Sequence, residues 1–575
     1  MFLIDNILIL SLVDLVSMSI LFVKHQSKLN SALEACAKRY AWSAYSESPS
    51  SKVHGADVPV NGKANFEAML NKEFSLDMPG EIGRTGCEVS PYLQTRLGIS
   101  YPKLDLDLLL PAVSSAMLKW ADAPRDVRMG ICLEILHQCS EQLFENAYAT
   151  MHTAGQSFIM AFAGSGANAL DRGLEALAYA QKAIQDVPET AIWERKFGEG
   201  ALIKLQKTFT LRPRGVSVVI CCATFPLWNA YPALMASLVT GNPVILKPHP
   251  NAILPVALLV RVCRGILQEQ GFDPNLVTMV ADTPQEPATI PLLTRDEVAI
   301  VDFTGSPQFG AWIEDNCNKA SVYTETAGCN SVVIESTHDL HAMASAIAHS
   351  LCQASAQMCT SVQNIHIPAQ GILVNQQQVS FDAVANAIKA AVDEQLSDPK
   401  KAAFLCGALV NDKVQSTIDH YRELGASRAK ILRDSSPYQH PEFSNARTAT
   451  PLILQVSNHD HDLYQKELFG PISFIIKGNN ADTCLSSAAE DSAQFGAITA
   501  HVYSKSQQYI DKATTAFIDA GASVAFNLVG MPINFAAAYS DFHVTGLNPS
   551  GNACLTDLSF VANRFRIVQQ KRMFN

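Results

Sequence analysis

The sequence has no block of basic residues, no CxxC pair, no Cys/His cluster at zinc spacing and no internal repeat. The first absence argues against a nucleic acid or an anionic membrane as partner. The second and third argue against a structural metal site, so no metal ligands are assigned. A disulfide framework is not indicated either: the 14 cysteines are scattered, apart from Cys221-Cys222, and fit reduced thiols in a cytoplasmic protein. The N-terminal 23 residues are apolar, but Asp5 and Asp14 interrupt them and leave Leu15 to Val23 as the longest charge-free run. That is well short of the roughly 20 residues a spanning helix needs. A basic n-region and a small-residue cleavage site are also missing, so residues 1–24 read as an N-terminal extension, with no membrane partner.

What is present is the composition of a large globular enzyme. The chain has 575 residues, 48% of them hydrophobic and 17% charged, with a net charge of −11 spread along its length. Two or three packed units with a sizeable core are expected. Helical spacing of apolar residues covers His25 to Tyr45, Leu110 to Trp120, Val127 to Thr150 and Gly173 to Ile184. Leu202 to Leu211 alternates as an edge strand or hairpin would. From Gly215 the character changes. The run Gly215 to Cys222 is rich in β-branched residues, as in a parallel strand buried on both faces. Further strands are expected at Pro243 to Leu246, Val277 to Val280 and Val298 to Phe303, with helices at Trp228 to Thr240 and Pro255 to Gln270 between them. Alternation resumes at Ser331 to Glu335 and runs to about Asn527, so an α/β fold is indicated. The tail, Leu555 to Gln570, reads as a strand able to pair with the hairpin near residue 205 or with another subunit.

Several residues could carry chemistry, and each has a plainer reading. Phe303-Thr304-Gly305-Ser306 follows a strand and opens a helix, a place where free N–H groups can meet a phosphate. It is not GxGxxG, and taken alone it is a turn. Lys247 ends a strand and could meet a ribose or phosphate, or simply be a solvated charge. Cys359 among apolar neighbours is by default a packing residue. Glu325 beside Ala327-Gly328 would be a loop charge, and Asn229 a helix cap. No single signal decides; their order and spacing do.

Together, Phe225-Pro226-Leu227-Trp228-Asn229, Lys247-Pro248, Phe303-Thr304-Gly305-Ser306, Glu325-Thr326-Ala327-Gly328, Gln357-Met358-Cys359 and Lys466-Glu467-Leu468-Phe469-Gly470-Pro471 resemble the aldehyde dehydrogenase superfamily over roughly residues 100 to 570. The 34-residue gap from Glu325 to Cys359 resembles the family's spacing of base and nucleophile. The segments Thr240 to Pro250 and Gly271 to Thr278, with the long N-terminal region, resemble the phenylacetic acid degradation branch.

The resemblance implies two Rossmann-like α/β domains plus a β-hairpin oligomerisation element. It implies an N-terminal helical part at 25–198, an oligomerisation hairpin at 199–213, a dinucleotide-binding domain at 214–324 and a catalytic domain at 325–527. A return segment at 528–554 and an oligomerisation strand at 555–575 follow. It also implies Cys359 as nucleophile, Glu325 as general base and Asn229 as oxyanion donor. Lys247, Gly305, Ser306, Glu467, Phe469 and Trp228 would line the site of NAD or NADP. An aldehyde substrate, CoA-linked if the branch holds, and a homodimer or homotetramer are implied as well.

Two departures bear on this. Pro250 stands three residues after Lys247, where NAD-selective members carry Glu, so NADP is tolerated and even favoured. Ala327 replaces a usual glycine and crowds the loop carrying Glu325. Retention of Glu325 favours water over CoA as acyl acceptor. A CoA-acylating enzyme and a catalytically silent, binding or structural relative are the competing readings.

Overall fold

The computed structural model describes residues 19–544 and 557–573. Its architecture follows from two sheets built of β-branched runs. The first is parallel and five-stranded, in the order Val277–Met279, Val244–Lys247, Val216–Ile220, Val298–Gly305, Ser321–Thr326. Every residue of Val216–Ile220 and Val244–Lys247 is buried, as strands covered on both faces require. Strand order reverses between Val216–Ile220 and Val298–Gly305, so a crevice opens at their carboxyl ends.

The second sheet has seven strands, in the order Lys430–Arg433, Leu452–Ser457, Ile472–Gly478, Asn364–Pro368, Ser331–Ile334, Thr499–Tyr503, Ser523–Phe526. Only the Lys430–Arg433 edge runs antiparallel. A third, antiparallel sheet places Leu202–Pro213 between Thr190–Lys196 and Phe565–Met573.

The helical layer under the first sheet is almost wholly buried. Helix Ala169–Gln185 packs against Ala230–Val239 and carries Asp171, Arg172 and Glu175 into the interior, where all three are bonded. Helix Ile20–Lys38 lies on Arg125–Glu141, with Gly130 admitting the backbone of Phe22. No helix among the described residues is long and apolar enough to cross a membrane.

Several expectations are corrected. The first helix begins at Ile20 and ends at a left-handed Arg39, so residues 19–24 belong to it; residues 1–18 lie outside the described residues. The single helix expected from Val127 to Thr150 is two, Arg125–Glu141 and Leu143–Ala154, broken at Gln142. The hairpin starts at Thr190 rather than 199, because Thr190–Lys196 alternates in burial and pairs along Leu202–Thr208. The boundary expected at 325 falls within Ser321–Thr326, the last strand of the first sheet, on which Glu325 sits opposite Thr304. In the tail, Leu558–Ala562 is a helix capped by Asp557, and the strand begins only at Phe565. The end of the expected return segment, 545–554, lies outside the described residues, as do 555, 556, 574 and 575.

Candidate active site

One cavity of about 1030 Å³ is lined by all nine residues singled out from the sequence: Trp228, Asn229, Lys247, Gly305, Ser306, Glu325, Cys359, Glu467 and Phe469. It lies where the carboxyl ends of the first sheet face the loops of the second.

Asn229 precedes helix Ala230–Val239 but does not cap it. Its amide turns instead to the Glu325 carboxylate and to Thr304 Oγ1, at 2.6 Å for the latter. Glu325, 1% exposed, is therefore held from the neighbouring strand register. Trp228 fixes the start of this loop by donating its indole N–H to Asn168 Oδ1 at 2.8 Å. The turn after Glu325 needs glycine at 328, since a Cβ there would lie 2.1 Å from the carbonyl oxygen of Gly496. Ala327, one residue earlier, is buried without displacing that turn.

Cys359 sits on a strained loop. Ala354, Ser355 and Ala356 have φ of 50°, 53° and 50°, three successive left-handed residues. Such backbone costs roughly 1–2 kcal/mol per residue. Gln357 opposes that strain by donating to the carbonyls of Ala354 and Ala408 and accepting from the Val410 N–H. Asn330 locks the far side: its amide donates to the carbonyls of Cys359 and Ser361, and its oxygen accepts from Ile498 and Thr499 N–H. Burial pushes the Cys359 thiol well above the usual thiol range, and Glu325, Cys222 and Glu467 push it further.

Sequence reasoning missed His543. Its Nε2 lies 2.6 Å from Glu325 Oε1 and 3.5 Å from Cys359 Sγ. The ligand atoms of Glu325, Cys359 and His543 all fall within 4.8 Å of one another, a composition that could also hold a divalent cation. No local signal points to this histidine, which is 184 residues from Cys359 in the chain.

The other end of the cavity fits a dinucleotide. Ser306 caps helix Pro307–Asn316, its Oγ accepting from Phe309 N–H, so that a helix N-terminus faces the groove. Gly305 lies over Phe303, whose ring a Cβ would approach to 2.7 Å. Glu467 projects into the cavity; burial and then Glu325 push its carboxyl up to about 8. Phe469 holds φ 46° in a loop fixed by Gln363, which accepts from Leu468 N–H and donates to the Lys466 carbonyl. Lys247 lines the groove but is not a free cation: its Nζ donates to Asp282 Oδ1 at 2.7 Å and to the Pro248 carbonyl. Asp282 is a second residue the motifs did not mark.

Three comparisons bear on the chain. The model of the aldehyde dehydrogenase family matches residues 100–551. A crystal structure of an NAD-dependent aldehyde dehydrogenase from Burkholderia multivorans is 45% identical, covers 97% of this chain and 99% of its own, and superposes with a TM-score of 0.94. A 1-pyrroline-5-carboxylate dehydrogenase 1 from Halalkalibacterium halodurans is 24% identical over 480 residues, 80% of this chain and 87% of the relative. A Thermus 1-pyrroline-5-carboxylate dehydrogenase with bound NAD, at 16% identity and TM-score 0.74 over 93% of this chain and 99% of its own, shares the fold.

Proposed function

The chain belongs to the aldehyde dehydrogenase family, and from that membership we propose that it oxidises an aldehyde to a carboxylic acid through a thioester on Cys359, using NAD. The observation that carries this reading is the meeting of the Cys359 sulfur, the Glu325 carboxylate and the Asn229 amide at one end of a cavity whose other end suits a dinucleotide.

The Cys359 thiol gives its proton to Glu325, and the sulfur attacks the carbonyl carbon. The oxyanion is taken by the Asn229 amide, released from Glu325, and by the Cys359 backbone N–H, each contributing about 3 kcal/mol. When bound, an oxidised nicotinamide supplies the acceptor for the hydride of the thiohemiacetal carbon. Glu325 releases the thiol's proton to solvent, then takes a proton from the water that attacks the thioester; the C–S bond breaks, the acid leaves and the sulfur regains its electron pair. Ser306 and its helix N-terminus hold the pyrophosphate, Glu467 accepts from ribose hydroxyls, and Phe469 packs on the ring.

NAD is preferred over NADP in this reading. A 2′-phosphate beside Lys247 would meet the Asp282 carboxylate as well as the ammonium. This reverses the preference drawn from Pro250 alone. The name of the 45% identical relative points the same way.

The substrate proposed is a bulky semialdehyde of phenylacetate breakdown, carried on CoA. The motif resemblance supports it, as do the apolar side chains of Met160, Phe225, Trp228 and Phe535 in the cavity lining. The names of the more distant relatives suggest 1-pyrroline-5-carboxylate instead. Steady-state kinetics with NAD and NADP against CoA-linked aldehydes, aromatic aldehydes and 1-pyrroline-5-carboxylate separate the two. A kcat/KM for 1-pyrroline-5-carboxylate above that of every CoA-linked aldehyde would overturn the branch assignment. Acyl-CoA formed when CoA is added would replace water by CoA as acceptor. The open edge of Phe565–Met573, with Ile567 and Val568 exposed, is proposed as the contact of a homodimer or homotetramer. A monomer by light scattering would contradict that.

A further inference from the structure

One buried imidazole at the thiol end has no part in the scheme above. His543, with its side chain 1% exposed, points Nε2 at Glu325 Oε1 and at Cys359 Sγ, while its ring leans on Trp228 at 5.0 Å. Its placement is built, not incidental. Arg172 donates to the carbonyls of Ala536 and Asp541, Glu175 accepts from Tyr539 N–H, and Asp171 accepts from Tyr539 Oη. Arg39 stacks 3.8 Å from the centre of the Phe542 ring. A helix of buried charges thus carries the segment that ends on His543.

The protonation state follows from its neighbours. Nε2 faces a carboxylate oxygen at 2.6 Å, so it carries the hydrogen. Nδ1 is buried with no hydrogen-bond partner among the described residues. A second proton there would create a charged N–H with nothing to accept it, which is the costliest kind of orphan. His543 Nε2 is therefore a hydrogen-bond donor.

We propose that His543 is a catalytic hydrogen-bond donor with two positions, holding the Glu325 carboxylate beside the thiol at rest and turning the same N–H to the Cys359 thiolate once Glu325 has taken the thiol proton. This rests on the thioester reading of Cys359. In the step, the Sγ–H bond breaks and an O–H bond forms on Glu325; the electron pair stays on sulfur. The Nε2–H bond is never broken; only its acceptor changes. The need for such a donor is visible in the field around the sulfur, where Glu325, Cys222 and Glu467 all oppose a negative charge. Protonating Glu325 removes one of these, and at 3.5 Å an N–H donor offsets the rest.

The test needs no aldehyde, so it stands apart from the activity assay. Cys359 of the full-length protein is alkylated with iodoacetamide across pH and followed on its own peptide by mass spectrometry. In His543→Ala the rate at pH 8 is expected to fall at least tenfold and the inflection to move up by a pH unit or more. His543→Gln, which keeps an N–H, is expected to recover part of the rate. NAD affinity within twofold of the parent in both variants marks them as folded. Profiles that superimpose on the parent's would overturn the proposal. Should neither variant fold, ¹⁵N NMR of the histidine-labelled parent decides, with His543 assigned by its response to alkylation of Cys359. A ring that carries its hydrogen on Nε2 is expected; an Nδ1–H ring with a bare Nε2 would contradict it.

Discussion

The two ends of the cleft treat charge in opposite ways. Where the adenosine half of a dinucleotide would lie, Lys247 and Asp282 are both buried and satisfy each other at 2.7 Å. Around the thiol, Glu325, Glu467 and Cys359 crowd together, and burial lifts both Glu467 and Cys359 toward their neutral forms. The backbone differs in the same sense: the left-handed run Ala354 to Ala356 and Phe469 flank the thiol end. Recognition is settled before the ligand arrives, whereas the reacting groups are held uncomfortable and ready to change charge. A cationic nicotinamide entering the thiol end would bring a positive charge to these acidic groups.

The contrast can be broken most sharply at the sulfur. Cys359→Ala is expected to lower aldehyde oxidation by at least about 1,000-fold while NAD still binds, because the chemistry and the recognition reside at different ends. A variant keeping a tenth of the parent rate, read as NADH absorbance, would remove the nucleophile assignment. At the other end, Asp282→Asn leaves Lys247 with no opposing charge. The ratio of kcat/KM with NADP to that with NAD is expected to rise about tenfold. An unchanged ratio means that this ion pair does not select the cofactor.

A smaller effect should appear with pH. As pH rises from 7 through about 8, Glu467 ionises and becomes a better acceptor for ribose hydroxyls. KM for NAD is expected to fall a few-fold between pH 7 and 9 in the parent, and to stay flat in Glu467→Gln. The sign for stability is the reverse. The unfolded chain ionises this carboxyl in the ordinary range while the folded chain keeps its proton, so this group's contribution is lost as pH rises through about 8. The smallest effect belongs to Ala356→Gly. Glycine relieves the left-handed strain but gives up one buried methyl, so a gain of about 0.5 kcal/mol is expected in denaturant unfolding. A loss above about 1 kcal/mol would show that the loop is not strained at that residue.

The strands of the first sheet were legible because β-branched runs such as Val216 to Ile220 announce themselves locally. The motif residues were legible for the same reason, each standing at a strand end or turn with a recognisable spacing. What escaped has a long-range cause. His543 reaches Glu325 across 218 residues of chain, and Asp282 reaches Lys247 across 35, with nothing in either neighbourhood to mark the partner. Gln142 breaks a helix whose apolar pattern continues through it. Glu325, whose plain reading was a loop charge, instead stands on Ser321–Thr326, because the β-rich stretch before it runs on through the motif to close the first sheet.

The measurement closest to the central claim is acyl-enzyme trapping in Glu325→Gln, mixed with NAD and aldehyde and quenched after the first turnover. The account predicts that NADH forms slowly, because the thiol has lost its base, and stops near one per active site with the acyl group's mass on the Cys359 peptide. NADH formed with no added mass on that peptide would contradict it.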